Sequence, residues 1–265
     1  MRSGTSLLHR VIGQSDDTNP HVQACFYLTH QLKLYRYFHG DGQLFATDYF
    51  GDGDGLAEFT RDTILRFLEQ TRKRYDNPRV LVLKQTELTY FFPLLSRLLP
   101  EARFVVSVRD PRDTIASMIE VGQRQRREQL TSPFVRADRD VQKLCEMYSS
   151  IYGGVLRAVD ANESDMHDRT LFVRYEDVVR DTAATLETLS AFCGVSFDVF
   201  RRQRKWSPDR VAEQVKDHKF WSTYLTDLSD REISDQSVGK YKRVLSDLER
   251  VHVDMHCAAI KSRFY

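Results

Sequence analysis

The sequence predicts an α/β fold, in which a parallel β-sheet is flanked by helices. Three short segments, 80–83, 104–108 and 170–175, are rich in apolar residues. Continuous apolar runs of this length are typical of strands that are buried on both faces. Long helical stretches separate these segments, and strands that alternate with helices favour a parallel sheet.

Capping residues predict where several helices begin and end. Asn19 and Pro20 are predicted to open one helix, as an N-cap followed by proline at the first helical position. Asp181 or Thr182 can cap another helix, which Gly194 would end. A further helix follows the glycine-rich segment 51–55, with an apolar face made of Leu56, Phe59, Ile64, Phe67 and Leu68.

Composition excludes several classes of protein. The 265 residues include 39 Lys and Arg against 38 Asp and Glu, so the net charge is +1. A strongly basic nucleic-acid binder and an acidic disordered chain are both disfavoured, and we expect no nucleic-acid partner. No apolar run reaches the length of a membrane span, so a cytoplasmic protein is expected. The four cysteines are scattered and are predicted to be buried, reduced thiols.

The first residues have the character of an anion-binding loop. Arg2, Ser3, Gly4, Thr5 and Ser6 run directly into an apolar-faced helix. Backbone N–H groups and the positive end of a helix attract an anion, while the hydroxyls and Arg2 add further donors. The segment is not a Walker A loop, which requires GxxxxGK[ST]. An ordinary capped helix remains the alternative.

A second candidate anion site follows the strand at 104–108. Arg109 would project from the carboxyl edge of the sheet, where open α/β folds bind ligands, and Ser117 lies two turns along the next helix. Pro111 suits the first helical position, Asp110 can cap, and Asp113 is expected to complete the cap. Arg109 and Ser117 together can hold a phosphate. The alternative is an arginine that is paired with Asp110 or Asp113.

Two more segments complete a pattern that spans most of the chain. They are 174–177, which reads Arg-Tyr-Glu-Asp, and 237–243, which begins Ser-Val-Gly-Lys-Tyr. With the loop at 2–6 and the segment 109–117, they resemble the PAPS-dependent sulfotransferases in motif and in order, in particular the bacterial, Golgi and tyrosylprotein-like branch. The resemblance implies a sulfotransferase fold, with a P-loop-like parallel sheet, in a single domain over residues 1–265.

The resemblance also implies how the donor binds. In that family the loop, here Arg2 to Ser6, binds the 5′-phosphosulfate of PAPS. Arg109 and Ser117 would bind the 3′-phosphate, and Tyr175 would lie near the adenine. Ser237, Gly239 and Lys240 belong to the segment that closes over the 3′-phosphate end.

The implied reaction moves a sulfuryl group from PAPS to a hydroxyl or amine and releases PAP, without a metal ion. The acceptor can be a small molecule, a carbohydrate or a peptide, and the sequence leaves it open, like the oligomeric state. Two other functions remain possible at this stage. One is a noncatalytic, degenerate PAP(S)-binding protein. The other is a nucleotide-dependent kinase, which the absence of lysine from residues 1–8 disfavours.

Three residues are candidates for the chemistry besides Arg2. Lys84 ends the first predicted strand and matches a lysine that many family members carry there, where it can stabilise charge on the leaving oxygen. The acceptor needs a general base. Cytosolic members have a histidine where this chain has Thr86, so we rank the neighbouring Glu87 first and His30 second.

The chain departs from the family before the loop. Family members run a central buried strand into this loop, whereas here one residue, Met1, precedes Arg2. The sequence therefore suggests N-terminal truncation at an internal methionine. We expect the 265-residue chain to bind PAPS less tightly than a longer chain that contains the strand.

Two further expectations concern side chains outside these motifs. Arg124, Arg126 and Arg127 form a local cluster of positive charge, which is interpreted as a solvated helix face rather than an anion-binding patch. Trp221 is expected to lie in the core.

Overall fold

The computed structural model describes residues 2–203, 210–225 and 233–265. Two strands are formed there, β1 (Phe104–Val108) and β2 (Thr170–Arg174). The helices of the described residues are α1 (Thr5–Ile12), α2 (Phe26–His39), α3 (Gln43–Phe50), α4 (Gly53–Arg74), α5 (Phe92–Leu98), α6 (Pro111–Arg127), α7 (Pro133–Ala137), α8 (Val141–Asp160), α9 (Met166–Arg169), α10 (Tyr175–Arg180), α11 (Thr182–Cys193), α12 (Asp198–Gln203), α13 (Arg210–Val215), α14 (Tyr241–Val244), α15 (Asp247–His256) and α16 (Ala258–Phe264). Short 3-10 helices span Thr86–Phe91, Glu163–Asp165 and Trp221–Tyr224. The fold is α/β, mostly helical, with a small sheet.

The two strands are parallel, as predicted. Phe104 lies opposite Thr170 and Val108 opposite Arg174, so both strands end at the same edge of the sheet. Arg109 and Tyr175 follow directly at that edge. The parallel pairing thereby brings two of the sequence motifs side by side.

Both faces of the sheet are covered, which confirms the prediction of two-sided burial. Phe104, Val106 and Val108 belong to a core that includes residues of α6 and α8. Val105 and Val173 face the opposite way, into a second core shared with α1 and α11. Alternation along β1 therefore divides the apolar residues between two helical layers.

The predicted strand at 80–83 is wrong. This segment forms no strand, and its only ladder pairing among the described residues is a single bridge between Val80 and Thr18. The side chain of Asn19 accepts a hydrogen bond from Val82 N at 2.7 Å and donates to Val82 O at 3.0 Å. The side-chain amide of Asn19 thus makes the two hydrogen bonds with Val82 that a neighbouring strand would otherwise make. Asn19 therefore does not cap a helix, because the next helix begins only at Phe26.

Other predicted boundaries are confirmed, with one face assigned wrongly. Asp181 caps α11 by accepting a hydrogen bond from Ala184 N, and Gly194 ends the helix with φ +66°. The helix after the glycine-rich segment is α4. Phe59, however, is 58% exposed, because its ring packs against Phe50 of α3 at the surface rather than against the core.

A cavity of about 80 Å³ lies beside β1. Val105, Val106 and Ser107 line one side of it, and residues 83–86 line the other. Among the residues that the structure describes, β1 pairs with β2 alone. The cavity therefore borders both β1 and the segment that carries Lys84.

Gly4 joins the first loop to the end of β2. It precedes α1 with φ +85°, a conformation that favours glycine. A side chain at this position would also be blocked, since a Cβ atom would lie 2.3 Å from Cδ2 of Tyr175. The absence of a side chain lets the loop pack directly on the tyrosine ring.

Asn19→Ala is expected to lower the free energy of unfolding by about 1–3 kcal/mol, because Val82 N loses its acceptor, while Val82 O keeps its contact with His9 Nε2 at 3.2 Å. Urea unfolding followed by circular dichroism measures this change. Gln142→Ala removes a comparable amide whose hydrogen bond to Glu146 is exposed, and it should change stability little. Equal stability of the two variants would contradict the role of Asn19.

Gly4→Ala is expected to destabilise the protein more than Gly194→Ala. Both glycines have positive φ, which costs alanine about 1–2 kcal/mol. A Cβ atom at Gly194 would meet nothing within 4 Å, whereas a Cβ atom at Gly4 would overlap the ring of Tyr175. The overlap should add about 1–3 kcal/mol for Gly4→Ala. Equal losses in urea unfolding would show that Tyr175 moves aside freely.

Candidate functional site

Arg109 stands at the centre of the candidate site, and its side chain is almost fully buried at the end of β1. Two tyrosines of α8, one turn apart, fix the backbone there. The hydroxyl of Tyr152 donates to Ser107 O at 3.1 Å, and that of Tyr148 donates to Arg109 O at 2.8 Å. Burial raises the pKa of Tyr148 and raises that of Tyr152 to about 12, so both phenols stay protonated and can donate.

The first loop reaches from β1 across to α6. The hydroxyl of Ser107 donates to the carbonyl of Ser3, which attaches the loop to the strand. Arg2 then extends to the other side, where Nε donates to Ser117 Oγ at 3.1 Å and Nη1 donates to Tyr224 O at 3.0 Å. Ser117 and the loop, predicted to bind opposite ends of one ligand, are thus directly connected.

Three guanidinium groups gather at this point. Arg109 Nη1 donates to Arg2 O at 3.4 Å. Burial, together with the charges of Arg124 and Arg109, lowers the pKa of Arg2 to about 10, which leaves it protonated at neutral pH. Nε of Arg109 is buried and has no hydrogen-bond partner among the described residues. This concentration of positive charge, with an unpaired donor, suits an anionic ligand.

The interpretation of residues 124–127 as a solvated face is wrong for one of its arginines. Arg126 and Arg127 are exposed. Arg124 instead turns inward, and its Nε donates to Thr223 O at 2.9 Å. Its position on α6, which also carries Ser117, brings it toward the first loop.

Tyr175 and Ser237 cover Arg109. The guanidinium of Arg109 lies over the Tyr175 ring, 4.6 Å from its centroid, and Nη2 donates to Ser237 O at 2.6 Å. The Tyr175 hydroxyl and Ser237 Oγ share a further hydrogen bond. The segment that resembles the closing segment of the family therefore rests on Arg109 and Tyr175.

Asp113 holds this segment in place, rather than completing the helix cap as predicted. Its carboxylate accepts hydrogen bonds from Gly239 N at 2.8 Å and Tyr241 N at 2.9 Å. Burial raises the pKa of Asp113, and the two N–H donors act in the opposite direction. Lys240 lies alongside but pairs with Glu120 at 2.8 Å.

Asp113 is free of the capping role because Asp110 alone supplies it. Asp110 accepts a hydrogen bond from Arg112 N at 2.8 Å, and Pro111 occupies the first helical position as predicted. The alternative for Arg109 was pairing with Asp110 or Asp113. It also applies in part, since Arg109 Nη2 lies 3.9 Å from Asp113 Oδ2.

Lys84 meets the first turn of α1. Its Nζ donates to Ser6 Oγ at 3.2 Å, so the lysine reaches the candidate loop even though its own segment is not a strand. Ser3, Thr5 and Lys84 all line the cavity beside β1. The structure thus brings the loop and the lysine together.

The two base candidates lie further out. Glu87 is in the first turn of the 3-10 helix Thr86–Phe91, and its carboxylate pairs with Lys33 of α2 at 2.9 Å. His30 is exposed, one turn before Lys33 on the same helix. The described contacts of Glu87 join it to α2, rather than to Arg2 or Arg109.

Several residues that build the site were missed by the sequence analysis. Glu176 is buried and accepts hydrogen bonds from Asp110 N at 3.0 Å and from the Tyr265 hydroxyl at 2.6 Å, which ties the ends of both strands together. The spacing of Tyr148 and Tyr152 could have indicated a shared role, since two tyrosines at i and i+4 lie on one helix face. The carbonyl partners that they bind could not be identified from spacing.

The prediction that Trp221 lies in the core is wrong. It is 38% exposed, at the start of the 3-10 helix Trp221–Tyr224. Its ring instead packs among other aromatic side chains at the surface, including Phe26 and Phe220.

Neither a metal cluster nor a membrane span is found among the described residues. Residues 2–203, 210–225 and 233–265 contain no group of three or more His, Cys, Asp or Glu arranged to hold a metal ion. None of the helices in these ranges is both long and apolar enough to cross a membrane.

Comparisons with known proteins identify the family and the fold of the chain. The model of the sulfotransferase family matches residues 1–199. Among solved structures, the sulfotransferase domain from the Synechococcus PCC 7002 olefin synthase has a similar fold, with a TM-score of 0.50 and 19% identity. The match covers 97% of this chain and 91% of that one. A search of curated proteins found no match.

The family match extends over the first loop, Lys84, Arg109, Ser117 and Tyr175, and the structural match extends over nearly the whole chain. Sulfuryl transfer is the general chemistry that such membership supports. On these grounds the chain belongs to the sulfotransferase family.

Proposed function

We propose that the protein transfers a sulfuryl group from PAPS to a hydroxyl or amine of an acceptor and releases PAP. The convergence of Arg2, Arg109 and Ser117 at the end of β1 carries this proposal, because these residues come from two separate motifs and meet within hydrogen-bond distance. Three positive charges and a buried, unpaired donor on Arg109 suit a ligand with several phosphate groups.

The described residues fit the two charged ends of this donor. Arg109 and Ser117 would hold the 3′-phosphate, with the ring of Tyr175 beside the base and Ser237 and Gly239 above it. The first turn of α1, with Thr5 and Ser6, would hold the 5′ end through backbone N–H groups and hydroxyls. Lys240 pairs with Glu120 and would contribute through the position of its segment.

PAPS supplies a sulfuryl group bonded to a phosphate that is a good leaving group. During transfer the S–O bond to the phosphate breaks, a new S–O bond forms to the acceptor oxygen or nitrogen, and the phosphate keeps the bonding electron pair. The bridging oxygen therefore gains negative charge. In this proposal Arg2 and Lys84 would stabilise it, and the contact of Lys84 with Ser6 of the loop that Arg2 begins supports this role.

The acceptor also loses a proton during transfer, so a base is needed nearby. We propose Glu87 for this role and His30 as the second candidate. Glu87 is three residues from Lys84, on the helix that borders the same cavity. Its ion pair with Lys33 is half-exposed, so exchange of this partner for an acceptor hydroxyl would cost little.

PAP is expected to bind the purified chain in calorimetry, and changing both Arg109 and Ser117 to alanine is expected to weaken binding by about 100-fold or more, because charged hydrogen bonds to phosphate are lost. Arg126→Ala is the matched control, since Arg126 lies on α6 but pairs with Asp138 at the surface. PAP should also raise the melting temperature of the wild-type protein. Equal affinity of the double variant would refute the assigned phosphate site.

Glu87→Gln is expected to lower kcat by about 100-fold or more while PAP affinity is unchanged, since a base acts only on the acceptor. His30→Gln and Lys84→Ala are measured separately. Lys33→Met, which removes only the partner of Glu87, should retain most activity. The wild-type protein could instead bind PAP and show no turnover, so that these changes have no turnover to alter. That result would support the noncatalytic alternative.

A further inference from the structure

Glu176 is a buried carboxylate at the end of β2 to which the proposed reaction gives no role. It is only 3% exposed. One carboxylate oxygen, Oε1, accepts a hydrogen bond from Asp110 N at 3.0 Å, and the other, Oε2, accepts one from the Tyr265 hydroxyl at 2.6 Å. A carboxylate is costly to bury unless donors satisfy its oxygens, so each of these donors helps to keep Glu176 in place.

The hydrogen bond from Asp110 N acts on the backbone of Arg109. The N–H group of Asp110 and the carbonyl of Arg109 belong to one peptide unit, which is planar. Tyr148 holds the carbonyl through a hydrogen bond of 2.8 Å, and Glu176 holds the N–H group. Rotation of this plane would break a hydrogen bond on either side. The direction in which the Arg109 side chain leaves the backbone is therefore fixed.

Neighbouring residues at the end of β2 contact different partners. The guanidinium of Arg109 lies 4.6 Å from the ring centroid of Tyr175. Arg174 and Glu176, on either side of Tyr175 in the sequence, both contact Tyr265. The guanidinium of Arg174 lies 4.6 Å from the ring centroid of Tyr265, and Glu176 accepts the hydrogen bond from its hydroxyl. Tyr175 thus supports the side chain of Arg109, whereas Tyr265 reaches the backbone of Arg109 through Glu176.

Tyr265 follows α16, and its neighbour in the sequence packs on the sheet. The ring of Phe264 lies 5.1 Å from that of Phe172 in β2, measured between centroids. Tyr265 is 42% exposed, but its hydroxyl is directed to the buried Glu176. Burial of the phenol, together with the charge of Glu176, raises the pKa of Tyr265, so the hydroxyl stays protonated and donates.

We infer that Glu176 and Tyr265 are positioning residues for binding of the 3′-phosphate of the donor. They act through the peptide unit that directs Arg109, and not by contact with the phosphate. This inference rests on the proposed function, in which Arg109 holds that phosphate. Helix α16 thereby becomes part of the donor site, because it carries Tyr265 to the end of β2.

The test compares the affinity for PAP with that for AMP, which lacks the 3′-phosphate, by calorimetry. Tyr265→Phe removes the hydroxyl and keeps the ring that faces Arg174. It is expected to weaken PAP binding by about three- to tenfold, the equivalent of one hydrogen bond, and to change AMP binding by less than about twofold. The preference for PAP over AMP should therefore fall.

Two variants of Glu176 separate its hydrogen bonds from its packing. Glu176→Ala is expected to weaken PAP binding by about tenfold or more, because Asp110 N loses its acceptor. Glu176→Gln keeps an oxygen that can accept from Asp110 N and an amide that can donate to the Tyr265 hydroxyl, so PAP affinity should stay within about threefold of wild type. Should Glu176→Ala not fold, Tyr265→Phe and Glu176→Gln still decide the outcome.

Two controls separate positioning from a general loss of stability. Asp181→Ala removes the N-cap of α11 and should lower the melting temperature without changing the preference for PAP over AMP. Tyr90→Phe removes a hydroxyl that bonds Ser150 at the surface, and it should leave both affinities unchanged. An equal loss of preference in Asp181→Ala, or an unchanged preference in Tyr265→Phe, would overturn the inference.

Failure of the wild-type protein to bind PAP would refute the proposed donor by itself. Pyrophosphate is then titrated into the same proteins as a probe of the anion site at Arg109. Weaker pyrophosphate binding by Tyr265→Phe than by wild type would support the positioning role. Equal affinity of the two proteins, or no binding by either, would overturn it.

Discussion

Three arginines concentrate positive charge at the end of β1, and the surrounding residues must hold these arginines together. Arg2, Arg109 and Arg124 repel one another, and burial adds to the cost, as the lowered pKa of Arg2 indicates. Such a cluster persists only where the surrounding structure holds it. Here the tyrosines of α8 fix the backbone of Arg109, and the ring of Tyr175 supports its guanidinium.

The closing segment depends on the same group. Ser237 is bound by Arg109 and Tyr175, and Gly239 is bound by Asp113, which is itself 3.9 Å from Arg109. These are hydrogen bonds and not apolar contacts, so in the proposed function an incoming phosphate would replace the carbonyl of Ser237 as a partner of Arg109 without opening the core. Arg109 can thus exchange one hydrogen-bond acceptor for another.

Donor recognition depends on charge in the proposed function. Charge at the edge of the sheet would select the phosphates of the donor, because Arg2 and Arg109 meet there. The residues that carry this charge are tied to neighbouring elements, since Arg2 donates to the backbone carbonyl of Tyr224 and the backbone carbonyl of Lys84 accepts from Cys25 N.

The sequence alone determined the local features: β1 and β2, the cap and proline that begin α6, and the residue types at the strand ends. These follow from short-range patterns of apolar and capping residues. Tertiary structure decided which backbone groups each side chain satisfies. Asn19 bonds Val82 instead of capping a helix, Asp113 binds the closing segment, and Trp221 lies at the surface, because in each case the cited partner is more than 60 residues away in the sequence.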